Sequence, residues 1–159
     1  MKFLLSIGLT YYFAAMVQTV FHRLFGHKNR IAAIFETHAK GHHRIYRVPK
    51  LLTDKYLDDE YSVMWYYAIP VLPVFILLLM FTSTQVILGF AVGLVFSIWW
   101  HIHLHKHYHL TNSFWNRYQW FHTKRELHFV HHMNVKTNYA IVEYWIDDLM
   151  RTKKLVSFT

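Results

Sequence analysis

The chain has 159 residues, the length of one domain, and it is 54% hydrophobic, 19% aromatic and only 16% charged. It contains no cysteine, which excludes a disulfide-stapled secreted domain, a thiol enzyme, an iron–sulfur protein and a cysteine-based zinc finger, and its apolar composition excludes a disordered tail. The net charge is +8, and histidine, with 14 copies, is the most unusual component.

The first predicted element is a membrane-spanning helix. Residues 3–22 contain no Asp, Glu, Lys or Arg, and about 20 residues are needed to cross a bilayer. A secretory signal peptide is the alternative, because Lys2 precedes the apolar run and the small residues Ala14 and Ala15 lie further along it, where a cleavage site could be. The apolar region of a signal peptide usually has about 7–15 residues, so the longer run favours a span.

The second uncharged stretch, residues 61–105, predicts a transmembrane hairpin. The polar residues 82–85 divide it into two apolar arms, with spans at about 61–81 and 83–101. The two prolines of the first arm are tolerated in a lipid-embedded helix as a kink. The alternative is a pair of buried helices in a soluble protein, but the chain has few charged residues elsewhere to solvate such a core.

The basic residues are distributed so unevenly that they predict an orientation. Of the 17, eight lie between Arg23 and Lys55 and eight between Lys106 and Lys154, which is one side of a three-span arrangement. The positive-inside rule makes this side cytoplasmic and places the N-terminus on the opposite side. Orientation and attraction to anionic lipid headgroups therefore explain the net charge, and we expect no nucleic acid as partner.

Together these features predict an all-α integral membrane protein with a single domain, residues 1–159. About three transmembrane helices would carry a cytosolic, histidine-rich helical cap formed by residues 23–60 and 102–159. Aromatic residues at 99–100 and 114–121 are typical of a belt at the membrane interface. All 14 histidines lie near or beyond a span end on the cap side.

The histidines form ordered groups, which indicates a metal site because neutral imidazole is the commonest protein metal ligand. His22 and His27 are five residues apart and converge only if the helix ends or distorts there, which Gly26 permits. The sequences HAKGHH at 38–43 and HFVHH at 128–132 each place histidines one helical turn apart on a shared face.

The remaining group follows the hairpin, where every second residue from His101 to His109 is a histidine. A strand would place all five on one face, whereas a helix places His101, His105 and His109 on one stripe and His103 and His107 on another. We favour the helix because the preceding apolar arm is helical. Read singly, a histidine is more often a surface or hydrogen-bonded residue, and we apply this interpretation to His103, His107, His109 and His122.

The four groups in this order resemble the fatty acid hydroxylase / sterol desaturase superfamily. Asn138-Tyr139 followed by Asp147-Asp148-Leu149-Met150-Arg151-Thr152 resembles the NYG…DxLFGT ending of that family, although Ala140 stands where the family usually has Gly, and Met-Arg-Thr replaces Phe-Gly-Thr. The resemblance covers roughly residues 20–152, and in size the chain is similar to the compact bacterial carotenoid hydroxylases.

The resemblance implies two iron ions held almost wholly by histidine, with zinc or another metal as an open alternative in a purified sample. The implied ligands are His22, His27, His38, His42, His43, His101, His105, His128, His131 and His132. In the third group, His101 and His105 followed by Tyr108 fit the family pattern best, and the registers His103/His107 and His105/His109 stay open.

Carboxylates commonly orient metal-binding imidazoles from behind. Glu36 and Glu126 lie close enough to the groups in sequence for this role, and the family ending adds Asn138, Tyr139 and Asp147 as candidates. The acidic residues Asp54, Asp58, Asp59 and Glu60 are interpreted instead as a solvated helix end before the second span.

The resemblance implies a membrane-bound oxygenase that uses O2 and external electrons to hydroxylate or desaturate an unactivated C–H bond of a lipid or other hydrophobic substrate. A separate electron donor, cytochrome b5-like or ferredoxin-type, is expected as partner. The chain has no HExxH motif, which argues against a zinc metalloprotease of that type.

The alternative function is that of a non-catalytic membrane metal-binding or metal-transport protein. A transporter should carry polar or ionisable residues inside its spans, and these spans offer few, such as Gln18 and Ser97.

Overall fold

The computed structural model describes residues 1–58 and 66–155, and the regular structure in these ranges is helical apart from one isolated bridge between Thr53 and Leu110. This confirms the all-α fold class. The elements in chain order are α1 (Lys2–Phe21), the π-helical segment π1 (His22–Gly26), α2 (Ala32–Phe35), the π-helical segment π2 (Glu36–His42), α3 (His43–Ile45), α4 (Ala68–Phe81), α5 (Thr84–Tyr108), a 3-10 turn (Phe114–Arg117), α6 (Gln119–Met133) and α7 (Trp145–Leu149).

Two helices are long and apolar enough to cross a membrane, namely Lys2–Gly26 and Thr84–Tyr108, each with 25 residues. They correspond to the first and third predicted spans, and both extend further into the cap than predicted. The second predicted span, 61–81, is represented by α4, which has 14 residues and is shorter than the ~20 needed to cross a bilayer alone. Residues 59–65 lie outside the described residues, so the prediction of three spans is not confirmed.

Helices α1 and α5 pack closely because small residues line their interface. A methyl group at Gly89 would lie 2.5 Å from the carbonyl oxygen of Phe3, and one at Gly93 would lie 2.6 Å from that of Ile7. The Ser6 hydroxyl donates a hydrogen bond of 2.8 Å to the Val86 carbonyl across the same interface. Small residues that let two backbones approach, supplemented by hydroxyl hydrogen bonds, are the usual packing of helices in membranes.

The same helices bury polar side chains and expose large apolar ones. The buried residues of α1 are Ser6, Thr10, Ala14, Ala15, Gln18 and Thr19. Leu9 on α1 and Val95 on α5 are more than 60% exposed. A helix on the surface of a soluble protein has the reverse pattern, with its apolar face toward the core.

Within the cap, α6 and the segment between α6 and α7 pack against the C-terminal half of α5, and Tyr11 of α1 contacts the same core. This core is a cluster of buried side chains, Leu104, Tyr108, Phe121, Ile141 and Val142. The Tyr108 hydroxyl donates a hydrogen bond of 2.9 Å to the Ile141 carbonyl, which ties the end of α5 to the segment between α6 and α7. This packing brings the histidines of four separate elements to one place.

Candidate metal centre

Ten histidines form two groups of five, within each of which the candidate ligand nitrogens all lie within 4.8 Å of one another. Centre A consists of His22, His27, His38, His43 and His131. Centre B consists of His42, His105, His109, His128 and His132. Seven of the ten side chains are buried, so both groups are inside the protein rather than on its surface.

The two π-helical segments explain how histidines five residues apart converge. A π-helix forms i→i+5 hydrogen bonds and has wider turns than an α-helix, so residues five apart come closer to sharing one face. Such segments are rare and concentrated at functional sites. His22 begins π1 and His27 follows it, whereas His38 lies in π2 and His43 follows that segment. Both pairs belong to centre A. The distortion that the His22/His27 spacing required is therefore present.

The two centres are adjacent because neighbouring histidines divide between them. His42 contributes to centre B and His43 to centre A, and in α6 His131 contributes to centre A and His132 to centre B. The rings of His43 and His132 stack at a centroid distance of 4.2 Å. Each HH dipeptide therefore joins one centre to the other.

In the third group, the structure brings His105 and His109 together in centre B, which corresponds to the register His105/His109. Both members lie one helical turn apart at the end of α5 and reach centre B, where His109 Nε2 is 2.9 Å from His128 Nε2. The sequence prediction includes His101 in the ligand set, whereas in the structure His101 belongs to neither group. It lies one turn earlier on α5, roughly 6 Å nearer the apolar end of the helix, with its ring 6.5 Å from that of Tyr67.

Three other histidines have structural contacts away from the centres. His103 accepts a hydrogen bond of 2.9 Å from the Trp115 indole, and Nδ1 of His107 is 2.9 Å from the Ser113 hydroxyl. His122 contacts the Asn116 carbonyl. The sequence interpretation treats these three and His109 alike as non-ligands. In the structure the three lie outside both groups, whereas His109 lies in centre B.

Backbone carbonyls and one carboxylate hold the rings from behind. Nδ1 of His22 is 2.6 Å from the Tyr139 carbonyl, that of His131 is 2.7 Å from the Thr137 carbonyl, and that of His109 is 2.9 Å from the Leu51 carbonyl. A bond from Nδ1–H to such an acceptor fixes the tautomer and leaves Nε2 unprotonated for a metal.

In centre B, Nδ1 of His42 is 2.7 Å from a carboxylate oxygen of Asp58, and Nδ1 of His132 is 2.7 Å from the Tyr46 carbonyl. With both Nδ1 atoms donating, the Nε2 atoms of these neutral rings face each other as lone pairs, only 3.0 Å apart. Burial lowers the pKa of both histidines well below the usual range, which disfavours a proton between them. A metal cation satisfies this arrangement.

The spacing of the Nε2 atoms is also informative about coordination. Seven neighbouring pairs of Nε2 atoms lie 2.8 to 3.2 Å apart, namely His22–His38, His22–His27, His27–His131, His38–His43, His42–His132, His109–His128 and His128–His132. With metal–nitrogen bonds of about 2.1 Å, ligands at right angles lie about 3.0 Å apart, whereas tetrahedral ligands lie about 3.4 Å apart. Both centres therefore fit a metal with more than four ligands better than a closed tetrahedral zinc site.

Within residues 1–58 and 66–155, a carboxylate contacts a histidine ring at Asp58, which belongs to the acidic group interpreted from the sequence as a solvated helix end. That interpretation is wrong for Asp58, whose side chain is only 5% exposed. Glu36 is half exposed and pairs with Lys40, and Glu126 is exposed on α6, so in the described part of the chain neither lies behind a buried ring as Asp58 does. The acidic group before the second span includes this carboxylate, so a candidate was visible in the sequence. Its contact with His42 could not be predicted, because the two residues are 16 positions apart and not related by a helical spacing.

The family-like ending forms a clamp around the segment that holds His22 and His131. The Asp147 carboxylate accepts hydrogen bonds of 2.8 Å from the backbone N–H groups of both Tyr139 and Ala140, and one of 2.6 Å from the Thr152 hydroxyl. Asn138 has a positive φ of 49° and donates from its side chain to the Leu127 carbonyl on α6. The clamp positions the carbonyls of Thr137 and Tyr139, on which the rings depend.

Tyr46 also supports centre B, although no motif in the sequence points to it. Its ring stacks on His109 at 4.0 Å, and its carbonyl accepts from His132.

Comparison of the chain with protein-family models, with curated proteins and with solved structures gave no match. The resemblance to the hydroxylase superfamily therefore depends on the motifs, and the structure adds that the histidine groups could bind metal ions.

Proposed function

We propose that the protein is a membrane-bound non-haem di-iron oxygenase that hydroxylates, or desaturates, an unactivated C–H bond of a lipid substrate with O2 and external electrons. The observation that carries this proposal is the pair of adjacent five-histidine centres at the inner ends of two apolar helices. Because the two centres are adjacent and separated by stacked rings such as His43 and His132, they suit a reaction that requires two metal ions.

The choice of iron is supported by the donor set. Imidazole suits zinc, copper, iron and nickel, and the nitrogen spacing near 3.0 Å disfavours the tetrahedral geometry of structural zinc. Five nitrogens in each centre leave room for a further ligand on a six-coordinate ion. When bound, the two irons would supply the activation of O2 and the oxidation of the C–H bond.

The surface pattern of the long helices supports insertion in a membrane. Only 33% of the apolar window in Lys2–Gly26 and 22% of that in Thr84–Tyr108 is buried within the protein, so most of it requires another apolar environment. A core helix of a soluble protein would be mostly buried. In this proposal α4 completes a three-helix stem, the cap is cytoplasmic, and the N-terminus lies on the opposite side.

Residues around the histidines prepare the centres for this chemistry. Acceptors behind five of the rings, among them Asp58 and the Tyr139 carbonyl, fix those imidazoles in the tautomer that a metal requires. Burial of His42, His128 and His131 excludes water and keeps the rings neutral, because it lowers the pKa of each well below the usual range. A separate electron-donor protein would supply the electrons.

The test is metal analysis of the detergent-purified protein together with lipid profiling of an expressing host. We expect two irons per chain and a lipid product with a new hydroxyl group or double bond. His131→Ala and His132→Ala should each lose one metal and the product, whereas the matched control His122→Ala should retain both. Two metals without any product would favour the metal-binding or transport alternative, and fewer than two metals per chain would contradict the di-iron proposal.

A further inference from the structure

A continuous band of aromatic rings crosses the molecule about halfway along α1, well short of the histidine centres. Tyr12 contacts Trp145 of α7 at a centroid distance of 6.1 Å. From Tyr12 the contacts continue through Tyr11 and Phe96 to Trp99. They then pass through Trp100 and Trp115 to Trp120 and Tyr118. The exposed members, at 37 to 53%, are Tyr12, Trp99, Tyr118, Trp120 and Trp145, which we call the aromatic band.

Charged groups begin at the level of this band. The Tyr11 hydroxyl donates a hydrogen bond of 2.6 Å to the carboxylate of Glu143, and the Lys124 ammonium contacts the Val142 carbonyl. The Arg117 guanidinium lies 5.1 Å from the centre of the Tyr118 ring. Because charged side chains are costly in hydrocarbon, this level of the molecule has to face headgroups or water.

The parts of α1 and α5 on the N-terminal side of the aromatic band, away from the histidines, are apolar and short. Leu5, Leu9 and Leu88 there are at least 55% exposed, and charge returns only at the tip, at Lys2 and the amino terminus. The distance along α1 from Lys2 to Tyr12 is about 15 Å, and that along α5 from Val86 to Trp99 is about 20 Å. The hydrocarbon core of a typical bilayer is about 30 Å thick.

We propose that the aromatic band is the membrane–water boundary on the histidine side, so that the chain contacts hydrocarbon over only about 15–20 Å and occupies a locally thinned bilayer. Tyr and Trp at this level match the preference of amphipathic rings for the headgroup region, and thinning keeps Lys2 in water on the opposite side. The inference depends on the membrane location in the proposed function, and not on the metals or the reaction. With this boundary, His22 of centre A lies roughly 15 Å along α1 from the membrane surface, on the water side.

Three exposed residues on one face of α1 provide a direct test. Leu9, Tyr12 and Met16 are 63, 50 and 41% exposed and lie at helical positions i, i+3 and i+7. If residues 3–22 were the span, its centre would lie between residues 12 and 13. Leu9 and Met16 would then be equally deep, and Tyr12 deepest. The aromatic band as boundary instead predicts that depth falls steadily from Leu9 to Met16, by roughly 10 Å.

Because the chain has no cysteine, Leu9→Cys, Tyr12→Cys and Met16→Cys can each carry a single spin label. Depth is measured in vesicles of dioleoyl phosphatidylcholine and phosphatidylglycerol from the accessibility of each label to oxygen and to a water-soluble chromium oxalate complex. Steadily increasing accessibility to the complex supports the proposal, and equal values at Leu9 and Met16 overturn it. If all three labels are equally accessible to the complex, and as accessible as in a sample without vesicles, both this inference and the membrane location are overturned.

A second measurement does not need a variant. The unlabelled protein is reconstituted in phosphatidylcholine with monounsaturated chains of 14 to 22 carbons, and its thermal unfolding is followed. The proposal predicts the highest unfolding temperature in the 14- or 16-carbon bilayers, whereas a maximum at 18 carbons or more overturns it. Metal content, measured on the same samples, reports separately on the proposed function.

Discussion

The rings of His43 and His132 stack at a centroid distance of 4.2 Å and an interplanar angle of 28°, although they belong to different centres. A wall shared in this way means that removing one ring leaves a gap beside the other centre. Ligation and packing by His43 are separable, because a phenyl ring retains the flat surface of imidazole without its nitrogens.

We therefore expect His43→Phe and His43→Ala to differ. Both should lose metal from centre A, since each removes a ligand. The phenyl ring should preserve the surface against His132 and with it the metal of centre B, whereas the alanine variant should also lose part of that metal. The measurement is the metal content per chain after dialysis. Equal contents in the two variants would show that the stacking of His43 on His132 does not contribute to metal binding in centre B.

The register of the third histidine group gives a second prediction. His109→Ala removes a ring whose Nε2 is 2.9 Å from that of His128 and should lower the metal content by about one ion per chain. His101→Ala, one turn from His105 on the same helix, should leave the metal content unchanged. The reverse result would show that the family register, and not the one in this structure, is used.

Asp58→Asn should weaken metal binding without removing a ligand. The amide lacks the charge that favours Nδ1–H of His42 as donor, and loss of such an outer partner typically costs 10–100-fold in metal affinity. Competition with a chelator measures the affinity. Glu36→Gln is the control, because that half-exposed carboxylate pairs with Lys40 and should give the original affinity.

A single methyl group at Gly26 should disrupt centre A. Its Cβ would lie 2.8 Å from Cδ2 of His22 and 3.1 Å from Cδ2 of His38, so both rings would have to move. Gly26→Ala should therefore lose the metal of centre A. Gly8→Ala is the matched control in the same long helix, because a Cβ there would contact nothing within 4 Å, and it should keep both metals.

The metal-free protein should lose stability as the pH falls below about 6.5. Burial lowers the pKa of His42, His128, His131 and His132 in the folded state, so the unfolded chain binds more protons below the ordinary histidine pKa. Stability is thus complete above about pH 6.5 and is lost progressively on acidification. Thermal unfolding in detergent between pH 5 and 8, after chelation, should show a midpoint that falls with pH, and a flat profile would contradict the neutral buried state.

Much of the candidate site followed from sequence because its patterns are local. Spacings of three, four and five residues in the groups at 22–27, 38–43 and 128–132 constrain which rings share a face, and all eight of their histidines belong to the two centres. Long uncharged runs likewise predicted α1 and α5, since helix length and apolar composition are properties of a single segment.

The tertiary structure decided what depends on distant partners. His101 and His109 lie on the same stripe of α5, and the level at which the cap packs along the helix brings His109 to centre B. Only the fold brings Asp58 to His42 or the Tyr139 carbonyl to His22. It also divides each HH pair between two centres. Sequence alone determined the chemistry of the ligands and the segments that carry them, because these are local. The assignment of each ring to a centre, and of the acceptors behind it, required the packing of segments up to 117 residues apart, which no local pattern encodes.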